Sequence, residues 1–303
     1  MKTGIKHNTL TNISTSLKFK NSIIPWLFVL PALAFTFIFR YYNMGRAFWI
    51  SLHNYDIGKP PGDFIWFGNY IVLIKDPNFW NSVKNTFIYI ILTLVLVFIV
   101  PIIQAIFLSE LDRGRGIFSS LYLIPAVIPL SVTVILWKWI FNPNFGIANS
   151  LMDLLGLPHQ AWYSDPGLTK FCIVLPGIIG GGFVVLLYLS AIMGISRDLY
   201  ESAQIDGCSG FKKLYYITLP NISFMIMIQL IMTVVATSQI LDSVFQFTLG
   251  GPNNASASTA YYSFDLFNNR LIFGKSTAAA FIMMFFIAII TAVQLKLDKS
   301  ERE

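Results

Sequence analysis

Residues 83–108, VKNTFIYIILTLVLVFIVPIIQAIFL, form a run in which only Lys84 is charged. A helix needs about 20 apolar residues to cross the hydrocarbon core of a bilayer, so this run is long enough. A transmembrane β-strand would instead show about ten residues that alternate between apolar and polar. The run therefore predicts a membrane-spanning helix, and with it an α-helical membrane protein.

The rest of the chain has the same character. Hydrophobic residues make up 55% of the 303 residues, charged residues only 12%, and the mean hydropathy is +0.64, whereas soluble domains carry about 25% charged residues. Other apolar runs of similar length lie at about 23–49, 117–141, 171–193, 222–247 and 277–297. We therefore predict an all-α polytopic membrane protein with six transmembrane helices. A basic tail over 1–22 precedes a single transmembrane domain over 23–303.

The lysines and arginines predict the orientation. They are concentrated in both tails and in alternate connections, at Lys2, Lys6, Lys18, Lys20, Arg113, Arg115, Arg197, Lys212, Lys213, Lys296, Lys299 and Arg302. Short connections rich in lysine and arginine stay on the cytoplasmic side. The rule predicts a multi-pass protein of a bacterial inner membrane with both termini in the cytoplasm. The net charge of +6 then reflects topology, and we expect no nucleic-acid partner.

One cytoplasmic connection is unusually long. It covers residues 196–220, SRDLYESAQIDGCSGFKKLYYITLP, and we call it the elbow because its pattern predicts two helices joined by a turn. The first helix, over about 197–206, ends at Gly207, since glycine readily adopts the left-handed conformation that follows a helix. Ser209 suits the N-cap of the second helix, which Pro220 closes before the fifth span.

The elbow resembles the EAA loop of binding-protein-dependent ABC importer permeases. That loop has Glu-Ala-Ala, Asp-Gly and Leu-Pro at fixed spacing, and this chain has Glu201-Ser202-Ala203, Asp206-Gly207 and Leu219-Pro220 there. Besides Ser196, which stands where the family commonly has proline, the departures from the family pattern are Ser202 and Cys208, which replace alanine. Both are small residues, so a close approach to a partner remains possible.

Further motifs narrow the resemblance to the maltose-type, carbohydrate-uptake branch of these permeases. They are FGNY at 67–70, DPNFW at 76–80, WKWIFNPNFG at 137–146 and TLGGP at 248–252. The resemblance implies a six-helix permease core that pairs with a second, homologous permease subunit. It also implies two ATPase subunits, an extracellular solute-binding protein and a carbohydrate substrate, which is a sugar, an oligosaccharide or a related polyol.

In such families the EAA loop docks on an ATPase subunit. The resemblance therefore implies ATPase-coupling roles for Glu201, Ser202, Ala203, Asp206 and Gly207. The chain itself contains no G-x-x-x-x-G-K-[ST] phosphate-binding loop. We therefore expect no catalytic site and no cofactor in this chain, and ATP and Mg²⁺ to be bound by the partner ATPase subunits. Its 3 histidines show no ligand spacing, so no metal site is expected.

Polar residues within the fourth and fifth predicted spans are candidates for a substrate path. The fifth span carries an amide and two hydroxyls at i, i+4 and i+8, on one helical face, and the fourth carries three consecutive glycines. Amide and hydroxyl groups that face a space left by glycines near the middle of the membrane could hydrogen-bond to a sugar. The predicted path consists of Gly180, Phe183, Gln229, Thr233 and Thr237. Packing of helices through small and hydroxyl residues predicts the same pattern, so this alternative stays open.

Two other classes of protein are compatible with a helical membrane chain. An ion- or proton-coupled secondary transporter needs coupling acids within the membrane, and Asp242 is the only acid in the last three predicted spans. A membrane-embedded enzyme needs a constellation of catalytic side chains within the spans, and the sequence shows none. Co-purification of an ATPase subunit distinguishes the importer from both.

Overall fold

The part of the chain that the structure describes is mostly helical. The computed structural model describes residues 25–26, 28–56 and 62–302, with side chains to residue 296, so the predicted basic tail lies outside it. The helices in chain order are α1 (Tyr42–Ser51), α2 (Gly68–Lys75), α3 (Pro77–Thr93), α4 (Val100–Ser109), α5 (Arg115–Val127), α6 (Leu130–Ile140), α7 (Ile147–Leu154), α8 (Thr169–Val174), α9 (Gly177–Gly180), α10 (Gly182–Met193), α11 (Arg197–Ile205), α12 (Phe211–Lys213), α13 (Leu219–Asn221), α14 (Ser223–Ser238), α15 (Asp242–Thr248), α16 (Thr259–Asn268) and α17 (Phe273–Arg302). Short π-helical segments, Phe37–Tyr41, Leu94–Phe98 and Leu214–Thr218, continue several of them.

The predicted spans correspond to these helices singly or in pairs. Pro77–Ser109 and Phe273–Lys296 are each long and apolar enough to cross a membrane. Three further candidates are bent pairs: α5 with α6, the stretch α8–α9 with α10, and the stretch α12–α13 with α14. Residues 28–51 are helical as well, so six stretches stand where the sequence predicts six spans. The all-α fold class is confirmed.

Three predicted spans differ from straight helices, and one of them, the fourth, bends by 48° before α10. The third bends by 90° between α5 and α6, because the residue before a proline is driven out of the helical region. Ile128, which precedes Pro129, is extended at φ −70° and ψ 127°. The fifth does not continue to residue 247, because α14 ends at Ser238 and a separate helix, α15, follows. The freed carbonyl of Ile240 accepts a hydrogen bond of 2.5 Å from Ser258 Oγ.

Two packed layers of side chains hold the ends of the bundle. At the end that carries the elbow, buried residues of α4 and α10 meet, among them Ile102, Ala105 and Val185. At the opposite end, which we call the loop end, Phe141, Trp162 and neighbouring residues form a second cluster. Many large apolar side chains elsewhere are exposed in the isolated chain. Such a surface suits contact with lipid and with partner subunits.

Side chains of the bundle fix the backbone of the loop after α15. Asn85 Nδ2 donates to the carbonyls of Asn254 and Ala257, each at 3.0 Å. Lys170 Nζ donates to the carbonyl of Ala255 at 2.7 Å. Buried backbone carbonyls need such partners. Within the TLGGP segment, the carbonyl of Leu249 accepts a hydrogen bond from the Tyr261 hydroxyl at 2.7 Å, so the segment and the loop after it form an ordered surface at the loop end.

A tyrosine–carboxylate hydrogen bond ties α16 to the start of α3, and its loss should lower stability. Tyr262 donates to Asp76 Oδ2 at 2.6 Å, while Asp76 Oδ1 caps α3 by accepting from Asn78 N at 2.8 Å. A hydrogen bond to a charged group contributes about 1.5–3 kcal/mol, so Tyr262→Phe should lower the free energy of unfolding by that amount. Thermal unfolding in detergent measures it, with Tyr42→Phe at an exposed position as the control.

The same hydrogen bond predicts a pH dependence. Burial, followed by the hydrogen bond to Asp76, raises the pKa of the Tyr262 phenol. Because a tyrosine in the unfolded chain has a pKa of about 10, the contribution is fully present below about pH 10. It is lost as the pH rises further towards the folded pKa. The difference between wild type and Tyr262→Phe should therefore shrink above about pH 10, and a difference that grows there would contradict the assignment.

Candidate functional site

The first arm of the elbow is capped at both ends. Ser196 Oγ accepts a hydrogen bond from the Asp198 backbone N–H at 3.3 Å, where α11 begins. Gly207 follows the helix with φ +74°, as the sequence predicts. Cys208 N then donates to the carbonyl of Ala203 at 2.8 Å, which is the bond that closes a helix after a left-handed residue. The arm is therefore a defined helix with a fixed end.

The second arm differs from the prediction. Ser209 does not cap it. The N-cap is Gly210, whose φ of +55° only glycine adopts easily, and it provides no side-chain hydrogen bond. Pro220 does not close the arm either, because it lies within the helical stretch Phe211–Asn221, which meets α14 at an angle of 69°. Pro220 comes shortly after the π-helical segment Leu214–Thr218 and lies one residue before the end of the stretch.

The residues that resemble the EAA loop lie on an open surface. Glu201, Ser202, Asp206 and Gly207 are exposed, and Ala203 is half-buried. Large apolar side chains on the same projection are exposed too: Ile205 is 88% exposed and Phe211 is 78% exposed. Exposed apolar groups of this size make the projection a candidate for contact with another protein.

Contacts that the sequence alone did not predict hold the elbow in place. The Tyr200 hydroxyl lies 3.2 Å from Thr218 Oγ1, so it joins the two arms. Lys213 Nζ lies 4.8 Å from the centroid of the Tyr200 ring and 3.1 Å from Glu110 Oε1 at the end of α4. The sequence does place opposite charges, Glu110 and Lys213, beside two predicted spans at the same membrane side. It does not show that these two side chains pair.

The three glycines of the fourth span have different surroundings. Gly180 is exposed, and a Cβ added there would meet no atom within 4 Å. Gly182 is buried, and its Cβ would lie 1.9 Å from the carbonyl oxygen of Tyr122. The helix bends by 48° between them. Phe183 is 62% exposed. Gly182 therefore allows α10 to pack closely on α5, whereas Gly180 and Phe183 face open space.

The polar stripe of the fifth span lies on α14. Gln229 and Thr233 are half-buried and Thr237 is buried. Among the described residues, none of the three side chains makes a hydrogen bond to protein, unlike Ser238, whose hydroxyl donates to Val234 O at 2.7 Å. α14 packs mainly on α3 and α17 and less on α10. The stripe and Gly180 are therefore not brought into extensive direct contact.

The remaining polar candidates do not form a catalytic or metal-binding cluster. Asp242 is exposed in the first turn of α15, beyond the end of α14, so it is not an acid within a described span. His159 lies 2.6 Å from Asp153, and both side chains are exposed. Within the described residues, no group of three or more His, Cys, Asp or Glu side chains is arranged to hold a metal ion.

Helices long and apolar enough to cross a membrane, together with an exposed helical elbow, define the class as a polytopic α-helical membrane protein. Residues 105–303, which include the elbow, match the family described as "Binding-protein-dependent transport system inner membrane component". This match covers more than half of the chain, and the chain belongs to that family. It is an inner-membrane permease of the ABC importer class.

Known proteins resemble the chain along nearly its whole length. The trehalose/maltose transport system permease protein MalF of Thermococcus litoralis is 28% identical over 293 residues, which are 96% of this chain and 99% of that protein. The lactose transport system permease protein LacF of Rhizobium radiobacter is 28% identical over 294 residues, 94% of this chain and 97% of that protein. A subunit of a bacterial ABC transporter involved in the import of the acidic polysaccharide alginate has the same fold. It superposes with a TM-score of 0.81 at 22% identity, covering 95% of this chain and 99% of that one.

Proposed function

We propose that this permease takes up a sugar, an oligosaccharide or a related polyol that an external solute-binding protein delivers. Permeases for trehalose/maltose and for lactose resemble the chain over at least 94% of its length, which supports this substrate class. The observation that carries the proposed mechanism is the elbow, an ordered and exposed projection at one end of the bundle, inside the region that matches the family.

The proposal includes a second permease and two ATPase subunits. The chain lacks a phosphate-binding loop, so ATP and Mg²⁺ would bind to the ATPase subunits. Gly180 and Phe183 are open on one side. A path that encloses a sugar therefore needs a second wall, which a homologous permease subunit would supply. The two subunits together would form the cavity.

Docking on an ATPase subunit would use one face of the elbow. The proposed docking residues are Glu201, Ser202, Ala203, Asp206 and Gly207. Small side chains permit a close approach, and the Glu201 carboxylate would pair with a basic residue of the ATPase. Ile205, which is 88% exposed, supplies apolar area beside them. Burying such area is a main source of affinity between proteins.

Gly207→Val should weaken docking. A β-branched residue at φ +74° distorts the turn, because left-handed backbone costs residues other than glycine roughly 1–2 kcal/mol. We expect roughly 5- to 30-fold weaker binding of the ATPase, measured by titrating ATPase subunits onto the purified permease. Gly207→Asn is the control, since asparagine tolerates this conformation. Glu201→Lys should also weaken docking, and wild-type affinity in both Gly207→Val and Glu201→Lys would contradict the assignment.

The lysines and arginines predict that both chain termini face the cytoplasm and that the loop after α15 faces the outside. We expect cysteines placed at positions 18 and 299 to be protected from a membrane-impermeant thiol reagent in intact cells. A cysteine at 254, in the ordered loop after α15, should react. The native Cys208 is half-buried, so it is first replaced by serine to keep it from reacting with the reagent. The native Cys172 is buried and can stay. Modification from outside at 18 or 299 would show that the orientation is wrong.

Purification of the assembled complex tests the proposed function. The isolated chain should hydrolyse no ATP, whereas the complex with both ATPase subunits should, and faster when the binding protein is loaded. The partner binding protein is first titrated with trehalose, maltose, lactose and glycerol to select the sugar for uptake into proteoliposomes. ATP hydrolysis by the isolated chain would count against the proposal. So would a binding protein that binds none of these compounds together with a complex that imports none of them.

A further inference from the structure

The first arm of the elbow follows α10 after a connection over residues 194–196 and is also joined by side-chain contacts to the second arm. No residue of α11 is buried in the described structure. The side-chain hydrogen bond that joins α11 to another helical segment is made by Tyr200, whose hydroxyl lies 3.2 Å from Thr218 Oγ1. The ring of Tyr200 also faces Lys213 Nζ, 4.8 Å from its centroid. Movement of α11 can therefore act on the residues around Lys213 as well as on α10 through the chain itself.

Lys213 in turn connects the elbow to the second span. Its Nζ lies 3.1 Å from Glu110 Oε1, and Glu110 is the residue at which α4 ends. The carbonyls just before it, of Leu108 and Ser109, accept hydrogen bonds from the Arg115 guanidinium at 3.1 and 2.9 Å. Two cations thus hold the end of α4, one from the elbow and one from α5.

The contacts continue from α4 towards the proposed substrate path. Ile102 and Ala105 of α4 are buried against Val185 and Leu189 of α10 in one apolar cluster. α4 and α10 form one of the most extensive helix pairs in the described structure. α10 begins at the bend that follows Gly180. Tightly packed helices move together because a packed core does not deform continuously.

We propose that Lys213 is a positioning residue that transmits movement of the elbow to α4, through its ion pair with Glu110 and its contact with the Tyr200 ring. This inference rests on the proposed docking of the elbow on an ATPase. The Glu110 side chain is 65% exposed and that of Lys213 is 25% exposed. An ion pair so open to water contributes little to folding, so its removal should leave the bundle assembled.

A thiol reporter at the bend tests the proposal in the complete complex with ATPase subunits. Ile179, 56% exposed, is replaced by cysteine in a Cys208→Ser background, and labelling by a charged methanethiosulfonate is timed. Rates are compared without nucleotide and with ATP, Mg²⁺ and vanadate. Lys213→Met and the isosteric Glu110→Gln should reduce the nucleotide-dependent change in rate roughly 2- to 30-fold. Lys212→Met, at the exposed neighbouring lysine, is the control and should change nothing.

The other outcomes are informative as well. The exchange variant Glu110→Lys/Lys213→Glu should restore part of the response, because it re-forms the ion pair. A wild-type response in both Lys213→Met and Glu110→Gln would overturn the proposal. Loss of the ATPase from Lys213→Met but not from Glu110→Gln would also overturn it, since Lys213 would then belong to the docking surface. Failure of the ATPase to bind even the unaltered chain would refute elbow docking itself, and is visible before any variant is made.

Discussion

Gly182→Ala is expected to destabilise the permease by about 3 kcal/mol, the upper end of the range for overpacked cores. The new Cβ would lie 1.9 Å from the Tyr122 carbonyl oxygen and 3.3 Å from Leu123 Cα. These are backbone atoms, so no side chain can rotate away to make room. α5 and α10 would have to separate, and the thermal unfolding temperature of the purified chain in detergent should fall.

Gly180→Ala is the matched control, two residues away in the same span. A Cβ there meets no atom within 4 Å, and alanine is a better helix former than glycine by up to about 1 kcal/mol. Its unfolding temperature should equal that of the wild type or exceed it slightly. Equal unfolding temperatures for Gly182→Ala and Gly180→Ala would show that α5 and α10 do not pack as closely as the structure indicates.

The general plan of the bundle could be predicted from the sequence because it depends on composition and local chemistry. Long apolar runs predict spans wherever they occur, and an Asp-Gly pair predicts a helix end. Gly207 with φ +74° confirms the latter. The start of the second helical arm shows the limit of this reasoning. A capping serine and a left-handed glycine are equivalent local signals, and at the start of α12 the chain uses Gly210 instead of Ser209.

The bend of the third span accompanies a local signal, Pro129, but the other breaks of the spans could not be predicted because they depend on neighbouring helices. Three adjacent glycines look alike in the sequence, yet Gly182 packs against α5 while Gly180 faces open space. Hydrophobicity continues past Ser238, so the pattern did not reveal that α14 ends there. Likewise, Lys213 pairs with a glutamate that lies 103 residues earlier in the chain. Pairings of this kind require the helix arrangement, which a single sequence does not contain.

Gly180→Leu should abolish uptake if Gly180 faces the substrate path. A Cβ at Gly180 meets no atom within 4 Å, so we expect folding to be kept while the added leucine side chain blocks passage. Gly45→Leu is the matched control, because Gly45 also has no atom within 4 Å of an added Cβ and lies on α1, away from the proposed path. Uptake by reconstituted complexes, normalised to assembled complex, should be lost in the first variant and kept in the second.

Replacing Thr233 and Thr237 together by valine separates a substrate path from helix packing. The two hydroxyls make no hydrogen bond to the described residues of this chain, so neither is already committed to a partner there. Each hydrogen bond to a sugar contributes about 0.5–1.5 kcal/mol, so losing two should weaken recognition within the permease roughly 5- to 150-fold. Packing predicts a different result: stability would fall by about 0.6 kcal/mol for each interhelical bond, and uptake per assembled complex would not change. The decisive measurement is uptake of the sugar selected by the binding-protein titration, at saturating binding protein. Wild-type uptake per complex in the double variant, together with a lower unfolding temperature, would show that these threonines hold helices together and do not line the path.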